Sequence, residues 1–207
     1  MKKGLCFAAG FLMAISVLLC AVLLPALNTG RFEEALLSTV DQQALGISES
    51  DLSAFAETTM RYLRGELPRW DVRIPPQGVS EAFRQHMAEV RGWVSAAPWV
   101  IAAGLLLGLV LLWLGGRRRG PALLGVGALI GLLAAAAVWA AVDFGSLWML
   151  LHRWFIPGGI FSAAEPVMQL FPLALFFRYV IPVCLWAAGL TAALCAGMWI
   201  FLQPRKM

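Results

Sequence analysis

The chain has 207 residues, of which 60% are hydrophobic and only 14% charged, with nine tryptophans and twelve phenylalanines. That balance excludes an ordinary soluble domain and marks a membrane protein. The formal net charge is +4, but the basic residues stand in separate clusters beside apolar runs and form no single stripe, so nothing points to nucleic-acid binding.

A bilayer core about 30 Å thick takes about 20 apolar residues to cross as a helix. Four runs meet that length: residues 4 to 26, 97 to 115, 121 to 142 and 179 to 202. They predict four transmembrane helices with both termini on one side. Lys2 and Lys3 precede the first run and Cys20 lies within it, so a cleaved signal peptide is an alternative there. The length of the run and the bulk of Leu19 before Cys20 favour an uncleaved anchor.

Beyond Pro25 the chain turns polar. Residues 29 to 45 place Phe32, Leu36 and Val40 on one helical face, with Glu33 and Glu34 in the expected first turn, where the helix dipole favours them. Ser48 and Asp51 form a capping pair for a second helix, whose Leu52, Phe55, Thr59 and Leu63 share a face before Gly65 ends it. The stretch from Leu67 to Gly78, with Pro68, Pro75 and Pro76, is expected to be extended. A third helix starts at Ser80 as N-cap, and on it Phe83, His86, Val90 and Trp93 recur at helical spacing.

The second and third spans are joined by residues 116 to 120, which include Arg117, Arg118 and Arg119. These arginines, with Lys2 and Lys3 and with Arg205 and Lys206, have no acidic neighbours and place those ends in the cytoplasm. The segments 27 to 96 and 143 to 178 then lie outside, the first holding ten of the twelve acidic residues. Within the second, residues 144 to 156 are apolar, but His152 and Arg153 interrupt them and Pro157, Gly158 and Gly159 end them. An interfacial or re-entrant helix suits this better than a fifth span, which would send Arg205 and Lys206 outside. Trp148, His152 and Phe155 fall on one face of it, and a short helix from Pro166 to Leu170 follows, ending at Pro172. The whole reads as an all-α membrane protein: four transmembrane helices, a small, mostly helical extracytoplasmic cap, and an interfacial helix before residues 179 to 207 form the last span and tail.

All four cysteines, Cys6, Cys20, Cys184 and Cys195, are in predicted spans, so no disulfide staples the outer segments. The only two histidines, His86 and His152, sit on aromatic-lined faces of the two outer segments. Taken singly, each reads as a surface histidine at headgroup level. Taken together, they read equally as one shared site able to accept and donate a proton near neutral pH. Glu89 is placed to hold the ring of His86 in one tautomer, and Asp143 is either a boundary charge or an orienting group for His152 or the substrate. Zinc needs three or four ligands, and beside the histidines stand only scattered carboxylates, Glu81, Glu89, Asp143 and Glu165, so neither metal nor cofactor is expected. Ser80, Ser146 and Ser162 read as caps or turn residues, and no nucleophile elbow is present. The outer aromatics, Trp70, Trp93, Trp99, Trp148, Trp154, Phe155 and Phe161, are explained mostly by an interfacial belt, and an acyl-chain pocket would draw on the same residues. No span has an ionisable residue in its middle, against a transporter.

The stretch Val79-Ser80-Glu81-Ala82-Phe83-Arg84-Gln85-His86-Met87-Ala88-Glu89-Val90-Arg91 resembles the Ser-Glu and His-Met-x-Asp-Val-Lys segment of the bacterial lipoprotein intramolecular transacylases. The order Asp143-Phe144, Trp148, Leu151-His152, Trp154-Phe155, Pro166, Leu170-Phe171-Pro172 and Phe176-Phe177 is similar to the second patterned segment of that family. Glu89 and Arg91 depart mildly from it, and the region from Pro157 to Glu165 lacks its usual Trp and Asp-Pro run. The resemblance implies a bacterial plasma-membrane enzyme with catalytic His86 and His152 and a substrate-binding set of Phe83, Glu89, Trp93, Asp143, Trp148 and Phe155. The implied partners are a diacylated lipoprotein and membrane lipid. The implied reaction moves the sn-2 acyl chain of the diacylglyceryl-cysteine onto its α-amino group. A non-catalytic assembly factor or chaperone, binding a partner through the cap, is the alternative.

Overall fold

The computed structural model describes residues 1–72, 78–156, 161 and 166–202. Its elements, in order, are α1 (Lys2–Ala26), α2 (Thr29–Thr39), α3 (Gln42–Leu45), α4 (Glu49–Leu63), α5 (Glu81–Leu114), α6 (Arg119–Phe155), a 3₁₀ turn (Pro166–Leu170) and α7 (Leu173–Phe201). Four of the helices are long and apolar enough to cross a membrane, as the four runs predict. Prolines 75, 76 and 157, Gly158, Gly159, Ser162, Glu165, Arg205 and Lys206 lie outside the described residues.

The chain divides into two compact units. The first comprises Met1–Val22, Ala97–Leu147 and Cys184–Met207. Its core is made of small side chains, Cys6, Ala9, Ala14, Ala122 and Val126, with Leu112 and Met198. Backbones meet closely there: a Cβ added at Gly10 would fall on the carbonyl of Ala122, and one at Gly125 on the carbonyl of Phe7. Helices in lipid gain little from burying apolar surface, so close packing of this kind holds them together. Outward, large apolar side chains such as Trp113, Leu124, Val138 and Ile200 are exposed, as a lipid-facing surface requires. Arg119 lies 3.6 Å over the ring of Trp199 and donates to its carbonyl at 3.4 Å, joining the start of α6 to the end of α7.

The second unit comprises Leu23–Ala96 and Trp148–Val183. Its core joins Phe32 and Leu36 of α2, Leu52, Phe55, Ala56 and Met60 of α4, Trp70, and Phe83 and Met87 of α5 to Val167, Leu170 and Leu175. Trp70 is buried with its indole N–H donating to Thr59 at 3.1 Å, which satisfies the one polar atom it brings inside.

The helix starts follow their local chemistry. Asn28 accepts from the Arg31 N–H to open α2, and Ser48 and Asp51 form the reciprocal capping box of α4. Ser80 accepts from the Phe83 N–H at the start of α5. Arg64 ends α4, and Gly65 follows at φ 84°, a left-handed turn that glycine adopts without strain.

The structure differs from expectation at three places. The single helix predicted over residues 29 to 45 is two, because Val40 is extended and Asp41 caps a new short helix, α3. With α2 starting at Thr29, its first turn holds no acidic residue, so Glu33 and Glu34 are not at the dipole's end. The third outer helix and the second span are one 34-residue helix, α5, because Val94-Ser95-Ala96-Ala97 supplies no stop signal. In α6 the expected break does occur: Asp143 is non-helical (φ −151°, ψ 83°), and its carboxylate accepts from the Ser146 N–H at 3.0 Å, an N-cap for the segment that carries His152.

Candidate active site

Helical spacing on α5 sets Phe83, His86 and Glu89 along one side of its first turns, and the end of α6 carries Trp148, His152 and Phe155. Within the second unit these two segments bring the histidines together: the ring centroids of His86 and His152 are 6.5 Å apart, with planes 29° from parallel.

Aromatic rings wall the pair. Phe83 and Phe161 stand 5.5 and 5.4 Å from His86, both edge-on, and touch each other at 4.9 Å. Trp148 lies 4.4 Å from His152 and 4.8 Å from Phe176. Phe83 also packs on Trp70 and Phe171, which ties the wall to the core.

The two imidazoles differ in their bonding. Nδ1 of His152 lies 3.0 Å from the Trp148 carbonyl. A carbonyl only accepts, so the neutral ring carries its proton on Nδ1 and presents the lone pair at Nε2. Nδ1 of His86 is buried with no hydrogen-bond partner among the described residues. Burial pushes the His86 imidazole below its ordinary range, His152 adds to that, and Glu89 opposes it. Burial therefore favours the neutral form of His86.

The remaining predicted residues fall in different places. Glu89 has a buried carboxylate oxygen, Oε2, with no partner among the described residues. Trp93 donates its indole N–H to the Phe155 carbonyl at 2.9 Å, and the two rings meet edge-on at 5.7 Å. That bond satisfies one of the carbonyls left open at the end of α6. Asp143 belongs to the first unit, where its hydrogen bonds go to Ser146. Phe161, one of the outer aromatics, and Phe176, part of the second patterned segment, complete the wall, although neither belongs to the expected substrate-binding set. Among the described residues no group of three His, Cys, Asp or Glu side chains could hold a metal ion.

Four long apolar helices, and an imidazole pair walled by aromatic rings, define an all-helical membrane protein with a candidate acid–base site. The model of the lipoprotein intramolecular transacylase family, Lit, matches residues 7–177, and the chain belongs to that family. It is a membrane transacylase, an acyltransferase. Among solved structures it is similar to the membrane-integral lipoprotein intramolecular transacylase Lit from Bacillus cereus, with TM-score 0.72 and 16% identity over 97% of this chain and 95% of that one. Two further Bacillus cereus Lit structures, in which a histidine is replaced by arginine or by alanine, match with TM-scores 0.68 and 0.69, each at 17% identity. They cover 97% and 98% of this chain and 91% and 93% of those chains. A search of curated proteins gave no match.

Proposed function

We propose that the protein moves the sn-2 acyl chain of an S-diacylglyceryl-cysteine lipoprotein onto the α-amino group of the same cysteine, with His86 and His152 as its acid–base pair. The observation that carries this reading is the 6.5 Å imidazole pair in its aromatic wall. The amine nitrogen forms the new C–N bond, the ester C–O bond breaks, and the glyceryl oxygen leaves as a hydroxyl, so the total mass is unchanged.

An α-amino group with a pKa of about 7.7 to 8.0 loses its extra proton readily near neutral pH. The attacking nitrogen must then shed a second proton while the departing alkoxide gains one. Nε2 of His152 is the base in this scheme, because the Trp148 carbonyl fixes the tautomer and stabilises the imidazolium that forms. The imidazolium of His152 then gives that proton to the departing glyceryl oxygen, while His86 donates an N–H hydrogen bond to the developing oxyanion. Nucleophile and ester belong to one molecule, so holding them in a reactive ring contributes several kcal/mol of the roughly 7 to 11 kcal/mol available to such proximity. Phe83, Phe161, Trp148 and Phe176 hold the chains, Trp93 and Phe155 brace the end of α6, and Asp143 starts its last segment. The charge pattern supports cytoplasmic termini in a bacterial plasma membrane, with the second unit as an extracytoplasmic cap beside the lipid and the last segment of α6 lying at the interface.

The test is conversion of a synthetic diacyl lipopeptide by purified protein. The wild type is expected to consume the free amine at constant mass, with fragmentation placing one acyl chain on nitrogen. His86→Ala and His152→Ala are each expected to lower the rate by about 10²- to 10⁴-fold. Retention of full activity in both would refute the acid–base assignment.

A further inference from the structure

The carboxylate of Glu89 has no part in the proton exchange above, yet its Oε2 is buried without a hydrogen-bond partner among the described residues. The ion pairs among the described residues join Arg61 to Glu57 and both Arg61 and Arg64 to Glu66, and none reaches Glu89. Arg91, the nearest cation along the helix, is engaged elsewhere. It donates to the carbonyls of Leu67 and Pro68 at 2.9 and 3.4 Å, and its guanidinium lies 4.7 Å over the ring of Tyr62.

A buried carboxylate oxygen without a donor is costly. Its persistence three residues from His86, whose Nδ1 is also buried and unpartnered among the described residues, marks a place prepared for something that brings N–H groups and positive charge. On the transfer proposed above, one part of the substrate fits: the α-ammonium group of the acceptor cysteine. The ester, the glycerol backbone and the acyl chains carry no positive charge.

We infer that Glu89 recognises the α-ammonium of the lipoprotein cysteine and thereby selects substrates with a free N-terminus. An inference of this kind rests on the acyl-transfer reading. The ammonium offers three N–H donors and a full charge to the carboxylate. Once acylated, the same nitrogen is a neutral amide with one N–H, so the contact weakens in the product. Glu89 therefore favours entry of the diacyl form and departure of the N-acylated one. It is a specificity residue, distinct from the two imidazoles.

The test uses a probe that cannot react: a lipopeptide with both acyl esters replaced by ethers, prepared with a free α-amine and in N-acetylated form. Binding of both is measured to the purified wild type, Glu89→Gln and Glu89→Asp. The wild type is expected to bind the free-amine ether about tenfold tighter or more. Glu89→Gln should lose that preference while keeping its affinity for the N-acetyl probe, and Glu89→Asp should retain it. The inference is overturned if the wild type shows no preference, if Glu89→Gln keeps it, or if Glu89→Gln weakens both probes equally, which marks a structural role. Conversion of the ester lipopeptide by the wild type, run alongside, separates the two claims. Absence of conversion refutes the transfer itself, whereas conversion without a Glu89-dependent preference refutes only the recognition.

Discussion

Phe83 and Phe161 keep water from His86 and push its imidazole below the ordinary range, with a smaller contribution from His152 and an opposing one from Glu89. The unfolded chain holds that proton up to a higher pH than the folded one. Stability therefore falls as pH drops through the window between the unfolded value of about 6.5 and the lower folded value. With two histidines in the chain, carbon-13 NMR of the ring Cε1 resonances resolves both, and His152→Ala assigns them. His86 is expected to titrate below about 6.5 and to move up towards it in Phe83→Ala, which opens the pocket; a wild-type value at or above 6.5 contradicts the burial argument. Phe83 itself is 3% exposed, and its truncation is expected to cost about 3 to 5 kcal/mol, read by thermal unfolding in detergent. The pairing of Phe83 with His86 is legible in the sequence from their spacing on one helix. Phe161 stands out only as an outer aromatic, because a loop residue has no period to betray which ring it meets.

At the scale of elements, the caps were readable and the breaks less so. Ser48 and Asp51 signal their capping box by the four-residue pattern alone, and Ser48→Ala is expected to lower stability by about 1 kcal/mol in a thermal melt. The break at Val40 was not readable, because a β-branched apolar residue on the expected face satisfies the helical pattern whether or not its backbone is helical. Asp143 shows the reverse: the change of composition at the end of the third run anticipated a boundary, and the carboxylate's bond to the Ser146 N–H is its cause. The Trp93 bond to the Phe155 carbonyl couples α5 to the last turn of α6. Trp93→Phe keeps the ring contact and removes the donor, worth about 0.5 to 1.5 kcal/mol. Lipopeptide turnover is therefore expected to fall roughly two- to tenfold with little change in expression.

Across the whole molecule, helix packing depends on positions that hydropathy does not mark. A side chain at Gly125 would strike the backbone of α1, whereas one at Gly127, two residues on, meets nothing within 4 Å. Gly125→Ala is expected to destabilise the detergent-solubilised protein by about 1 to 3 kcal/mol, with Gly127→Ala close to neutral; equal effects would show that this contact does not hold the helices. The amino-acid sequence alone determined the four apolar helices, the starts of α4 and α5 at Ser48 and Ser80, the separation of basic from acidic segments and the family resemblance carried by the residues around His86 and His152. Each of these is written in local periodicity, composition or spacing. Tertiary structure alone decided that the two imidazoles stand 6.5 Å apart, that Phe161 and Phe176 close the wall, and that Glu89 has a buried oxygen without a partner among the described residues. The physical reason is that a repeat of 3.6 residues tells a helix which face to bury but not against which partner, and pairing in lipid is settled by shape between small residues that a count of apolar side chains cannot see.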